Sequence, residues 1–182
     1  MTLAALHVGC GPATLPAALF PSEEWREIRL DIDPAVKPDV VASITDMPLA
    51  DGSVAAVFSS HNVEHLHPYD VPRALAEFLR VLRPGGFALI GCPDFGRAAL
   101  WITGGRGNET AYVAPCGPIT PMDIAFGHPG FRVGNPFMAH QTGFTAATLR
   151  KALEDAGFDV RSVEAREWEL WALAVKRHGD GA

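Results

Sequence analysis

Six residues of mostly apolar chain, Leu3–Val8, run straight into Gly9-Cys10-Gly11-Pro12. This reads as a short buried strand feeding a tight turn. Two glycines in that turn let backbone pass close to a ligand where any side chain would clash. Asp31 ends the next apolar stretch, 22 residues after Gly9, and is placed to accept hydrogen bonds from ribose hydroxyls. A dinucleotide fold would want a third glycine at Thr14, and Pro12 stands inside the turn. NAD and FAD are therefore disfavoured.

The rest of the pattern alternates strands and helices. Thr14–Phe20 is expected to be a short helix, Glu27–Ile32 and Asp39–Ser43 strands, and Val54–Ser60 a buried strand of small and branched residues. Val71, Leu75, Phe78, Leu79 and Leu82 make the stripe of an amphipathic helix, stopped by Arg83-Pro84-Gly85-Gly86. Phe87–Cys92 reads as a strand. Thr145–Ala156 reads as a helix capped by Thr145. Asp159–Ala165 and Trp168–Lys176 alternate as an antiparallel pair, before a frayed tail at 178–182. The expected fold class is α/β: a Rossmann-like three-layer sandwich on a mostly parallel seven-stranded sheet with an antiparallel last strand. Ligands of such sheets sit beyond the carboxyl ends of the strands.

The net charge of −6 and pI near 5.6 provide no basic footprint for nucleic acid. The three cysteines are widely spaced and contain no CxxC pair, which fits reduced thiols and a cytoplasmic location. The apolar N-terminal stretch holds no Lys or Arg and is interrupted by Gly and Pro, so neither a signal peptide nor a membrane span is expected. One domain is expected over 1–182.

The ordered stretches Leu6–Pro12, Leu30–Pro34, Asp46–Ser53, Val57–Leu66 and Arg80–Gly86 together resemble the class I S-adenosylmethionine-dependent methyltransferases. The resemblance spans residues 3–94, with Ala156-Gly157-Phe158 and the Trp-rich final strand similar to the family's C-terminal part. It implies S-adenosylmethionine as cofactor, S-adenosylhomocysteine as product and methyl transfer as activity. By resemblance Gly9 and Gly11, with Cys10 between them, face the methionine portion; Asp31 binds the ribose and Ile32 lies against the adenine. Asp46 accepts from the adenine amino group or is a plain turn residue, and Met47 packs on the ring edge. Ser59, Ser60 and His61 line the methyl-donor end. The chain departs from the family at His7, where an acid is usual, and at Ala13 in place of a small-loop glycine. Loss of the acid removes an anchor for the cofactor's ammonium end. The first strand lies at the very start of the chain, so cover for the substrate side is expected from elsewhere.

His61-Asn62-Val63-Glu64-His65 matches the HxxEH signature of inverted zincins. That chemistry needs a helix, whereas this segment leaves a buried strand and meets Pro68. No metal is expected from it. His61, His65 and His140 are the candidate catalytic bases, required only if the acceptor arrives protonated.

Residues 93–143 hold nine Gly and six Pro but only six charged residues. Trp101, Tyr112, Phe126, Phe131 and Phe137 argue against disorder. The expectation is an ordered lid over 95–143 that forms the acceptor pocket with His128, Asn135, Phe137 and His140, or else a dimer interface. The expected partner is a small-molecule acceptor, without nucleic acid or membrane and with a homodimer as one arrangement. The rival reading is a catalytically silent cofactor-binding or dimer-partner protein; another is non-methyl use of the same cofactor.

Overall fold

The computed structural model describes residues 2–178; the expected tail beyond His178 lies outside them. Strand β1 (Leu3–Val8) pairs in parallel with β2 (Trp25–Asp31) on one side and β4 (Val54–Ser60) on the other. Strand β3 (Val40–Val41) extends the sheet beyond β2. Helix α1 (Val71–Val81) crosses back to β5 (Leu82–Pro93), parallel to β4. Residues 95–143 form α2 (Phe95–Thr103), a hairpin of β6 (Tyr112–Ala114) and β7 (Gly117–Ile119), α3 (Pro121–Phe126) and α4 (Pro129–Arg132). The chain closes with α5 (Ala146–Asp155), β8 (Asp159–Arg166) and β9 (Glu169–Val175). Sheet order is β3-β2-β1-β4-β5-β9-β8, with β9 antiparallel to both neighbours. The expected Rossmann-like α/β sheet is therefore present. Among the described residues no helix is long and apolar enough to cross a membrane.

Helices α1 and α5 cover one face of the sheet. Val71, Ala74, Leu75, Phe78 and Val81 are the buried stripe of α1, packed with Leu149 and Leu153 of α5 over Leu6, Val8, Val57 and Ile90. Burying each such large side chain contributes roughly 1.5–3 kcal/mol. Thr145 caps α5 as expected, accepting from the Thr148 N–H at 3.2 Å.

The opposite face carries a thinner layer, and here the expected Thr14–Phe20 helix is corrected. The segment is a single turn, with Leu19 and Phe20 N–H both donating to Pro16 O. Pro16 and Pro21 bracket it, and a proline lacks the N–H that would continue a helix. What the turn delivers is Phe20, 5% exposed against Ala5, Ala56 and Phe58. The third strand is also shorter than expected, and the second starts earlier, at Trp25. The Arg83–Gly86 stop ends the helix as expected, but β5 begins at once: Gly85 N–H donates to Lys176 O and Lys176 N–H to Gly86 O. Lys176 Nζ then donates to Leu82 O at 2.7 Å and Arg80 O at 3.3 Å, placing a cation at the negative end of α1.

The loop after β3 is held onto α1 chiefly through Arg80, which pairs with Glu77 of its own helix and with Asp51 of the loop at 2.7 Å. Arg80 donates to both carboxylate oxygens of Glu77, to Met47 O at 2.9 Å and to Leu49 O at 2.7 Å. Glu77 Oε2 in turn accepts the Met47 N–H at 2.8 Å. The Arg80 hydrogen bonds hold the Glu77 carboxyl below its ordinary value. Its folded-state pKa being depressed, the pair stabilises fully above the unfolded value and loses that contribution as pH falls through the folded one. Arg80→Ala is expected to cost about 1–3 kcal/mol, the scale of hydrogen bonds to a charged group. Hydrogen exchange at Met47 should speed up, and the stability gap from wild type should shrink as pH falls below about 4.5, the ordinary Glu value. A gap unchanged by acid would assign the effect to packing alone.

Candidate active site

Parallel pairing brings the ends of β1, β2, β3, β4 and β5 to one edge. Val8 lies opposite both Leu30 and Ser59, so Gly9, Asp31 and Ser60 follow at the same level. Gly9 and Gly11 take positive φ, +59° and +50°. A Cβ on Gly9 would stand 2.4–2.8 Å from the Asn62 amide group, so glycine is required there by a close approach as well as by φ. Cys10 turns a buried thiol inward, and its N–H donates to Leu30 O.

Asp31 shapes the turn. Its Oδ2 accepts the Gly11 N–H at 2.8 Å and its Oδ1 the Asp33 N–H at 2.9 Å, leaving each oxygen with further acceptor capacity. Asp33 caps the short turn that follows, through the Ala35 N–H. Ile32 is 46% exposed beside these groups, an apolar surface at the mouth of the site. Asp46 is largely exposed, 3.9 Å from Arg73. Met47 differs from expectation: its side chain is buried in the core, and it offers the loop its backbone only.

His7 is buried and does not replace the missing acid itself. Its Nδ1 lies 2.8 Å from Glu27 Oε1, and the same oxygen accepts the Leu15 N–H at 3.0 Å. The carboxylate beside the glycine turn is thus supplied by β2. The sequence signal for it is an acid two residues before the Arg29 that pairs with His7 in the strand register. Ser59 Oγ and Asn62 Nδ2 are buried without protein partners among the described residues. Asn62 was not picked out from the sequence.

The HxxEH segment forms a short 3-10 turn (Val63–His65) rather than a helix. His61, at φ +50°, directs Nε2 to Glu169 Oε1 at 2.8 Å, with Nδ1 3.5 Å from Glu64 Oε1. Burial alone would lower its pKa, but the hydrogen bond to Glu169 and the Glu64 carboxylate 3.5 Å away carry it up to about 10. A ring nitrogen engaged by Glu169 and a pKa shifted upward do not suit the expected role of base. Glu169 also accepts from Trp171 Nε1 at 2.9 Å and is held below the usual carboxylate range, first by His61.

The 95–143 segment is ordered, with a small core of Ala98, Ile119, Ile124 and Trp168. Its end is stitched to the loop after β4: Gln141 and Thr142 N–H donate to Glu64 O at 2.8 and 3.0 Å, and Thr142 Oγ1 to Leu66 O at 2.7 Å. This brings His140 to within 5.0 Å of His65, ring centre to ring centre. Between the two segments lies a cavity of about 240 Å³, lined among others by His61, Glu64, Tyr112, His128 and His140. Asn135 and Phe137 are not among its lining residues. Asn135 Oδ1 accepts the Phe137 N–H in a local turn, and Phe137 is 53% exposed; Phe131 and Met138 line the cavity instead. Local turn chemistry decided that exchange, and no periodicity in the segment signals it.

Residues 6–90 match the family model described as a methyltransferase domain. A probable S-adenosylmethionine-dependent methyltransferase of Mycolicibacterium smegmatis is 32% identical over 165 residues, covering 85% of this chain and 51% of that protein. An uncharacterized 37.1 kDa protein in transposon TN4556 of Streptomyces fradiae is 36% identical over 107 residues, 50% of this chain and 30% of its own length. The chain thus spans about half, or less, of the length of these curated relatives. The fold matches 1,6-didemethyltoxoflavin-N1-methyltransferase of Burkholderia thailandensis, solved with that acceptor and S-adenosylhomocysteine, at TM-score 0.62 and 15% identity over 97% of this chain and 72% of the other. It also matches the complex between the Haloferax volcanii Trm112 methyltransferase activator and its putative methyltransferase, at 0.64 and 17% over 97% and 83%. Residues 6–90 are thus similar to a methyltransferase domain, and the strand order is the Rossmann-like fold shared with these solved methyltransferase structures.

Proposed function

We propose that this chain transfers a methyl group from S-adenosylmethionine to a small-molecule acceptor by in-line displacement. The observation that carries the small acceptor is the cavity of about 240 Å³ between the loop after β4 and the 95–143 segment. It is smaller than the ~300–1,000 Å³ of common ligand sites. The net charge of −6 leaves no general attraction for a phosphate backbone. The Burkholderia neighbour, named for methylation of 1,6-didemethyltoxoflavin, supports a small acceptor on this fold.

The residues fit the cofactor. Gly9 and Gly11 keep the turn free of side chains, Asp31 retains acceptor capacity for hydroxyls, and exposed Ile32 offers a face to an adenine ring. Ser59 Oγ and Asn62 Nδ2 are buried polar atoms left to a ligand. When bound, the cofactor supplies a sulfonium methyl open to nucleophilic attack. The protein's share is proximity and exclusion of water, worth several kcal/mol when reacting atoms are held in line. The 95–143 segment provides that exclusion as a lid, tied down at Glu64 and Leu66. Exposed Phe126, Val133 and Phe137 on its outer side favour self-association as a second role for the same segment.

S-adenosylhomocysteine should raise the melting temperature and NAD should not, since ligand at 100 times its dissociation constant adds about 2.7 kcal/mol. No response to the former defeats the cofactor assignment. Asp31→Ala is expected to weaken S-adenosylhomocysteine binding by about 1–3 kcal/mol in calorimetry. Unchanged affinity would move the ribose contact elsewhere. Gly127 and Met138 lie against each other, so residues 128–137 can be replaced by a two-glycine link. That variant should bind S-adenosylhomocysteine normally yet lose labelled-methyl transfer to a small-molecule extract. Full transfer would place the acceptor outside the lid.

A further inference from the structure

Glu64 presents a problem that methyl transfer does not resolve. Its side chain is 2% exposed, and neither Oε1 nor Oε2 has a hydrogen-bond partner among the described residues. The nearest cation, His61, stands off at 3.5 Å and is engaged by Glu169 through its other nitrogen. An ionised carboxylate buried in this way costs several kcal/mol unless something pairs with it.

Two imidazoles converge on it. His65 follows it in the chain, and His140 is delivered from the far end of the lid by the Gln141 and Thr142 hydrogen bonds. His65 Nδ1 lies 3.1 Å from Ala139 O and His140 Nδ1 lies 2.9 Å from Ile124 O. A carbonyl only accepts, so both Nδ1 atoms carry a proton, and in the neutral ring Nε2 is then the atom with a lone pair to offer. Tying one ring nitrogen to a backbone carbonyl is how proteins orient imidazoles that ligate through the other. One ligating atom from each of Glu64, His65 and His140 lies within 4.8 Å of the other two. Donors around an ion at about 2.0–2.2 Å stand roughly 3–3.5 Å apart, so a small contraction closes the set.

We infer that Glu64, His65 and His140 form a binding site for a first-row divalent transition-metal ion, Zn²⁺ or Mn²⁺ in class, opening onto the cavity under the lid. Two imidazoles and one carboxylate are a donor set for such ions that leaves coordination positions free. All three residues line that cavity, so the free positions face the space assigned to the acceptor, whose oxygen or nitrogen would complete the shell. The set is distinct from the HxxEH pattern, because His61 is turned to Glu169 and a lid residue takes its place. The metal site itself stands on its own geometry; only its use in orienting an acceptor rests on the methyltransferase reading.

The test is calorimetry of chelator-treated full chain with Zn²⁺ alone and Mn²⁺ alone, beside melting curves. One ion per chain is expected, with micromolar or tighter affinity for at least one metal and a raised melting temperature. Glu64→Gln and His140→Ala should each weaken binding by roughly 100-fold or more, since loss of even outer-shell partners costs 10–100-fold. His128→Ala, at the rim of the same cavity, should retain it. Metal-free Glu64→Gln should melt no lower than metal-free wild type, because it removes a buried charge that has no hydrogen-bond partner and shares its one nearby cation with Glu169. No stoichiometric ion in the wild type, binding that survives both ligand variants, or a large drop in the metal-free melting temperature of Glu64→Gln would overturn the site. The last would make Glu64 a structural counter-ion of His61. S-adenosylhomocysteine binding, measured on the same samples, reports separately on the cofactor site.

Discussion

The parallel registration of β1 between β2 and β4 is the constraint from which the rest of the site follows. Because Val8 sits level with Leu30 and Ser59, the turns that leave these strands emerge together. That shared edge lets the Asp31 carboxylate hold the Gly11 N–H across the strands and lets Asn62 reach Gly9. A slip of one residue would turn every side chain to the opposite face and separate these groups.

The site is two half-sites joined at residues 61–65. On one side the glycine turn, Asp31 and Ile32 form the part that suits a nucleoside. On the other the 95–143 segment packs close and its last residues donate to the carbonyls of Glu64 and Leu66. Backbone groups make the bonds to Glu64 and the Thr142 hydroxyl the one to Leu66, so most of this stitching tolerates an irregular sequence. Its glycines and prolines serve turns between short elements rather than flexibility, and Ile119, Ile124 and Trp168 bury enough apolar surface to order it.

Two expected features are built here from other parts of the chain. A carboxylate stands beside the glycine turn through the His7–Glu27 pair on adjacent strands. A helix expected after β1 is reduced to one proline-bracketed turn whose contribution is Phe20. In both cases a segment other than the expected one supplies the nearby carboxylate or the apolar cover.

The sequence alone determined the sheet, the amphipathic α1 and capped α5, the glycine turn and Asp31. These rest on periodicity, turn chemistry and short-range spacing, all written along the chain. Tertiary structure decided what depends on side chains from distant segments. It put the Met47 side chain in the core, removed Asn135 and Phe137 from the cavity, and turned the His61 ring onto Glu169. It also set His140 beside Glu64 and His65, 75 residues away along the chain from the nearer of the two. No local pattern encodes that meeting, because the bonds to Glu64 that create it join backbone groups, which every residue type except proline carries alike.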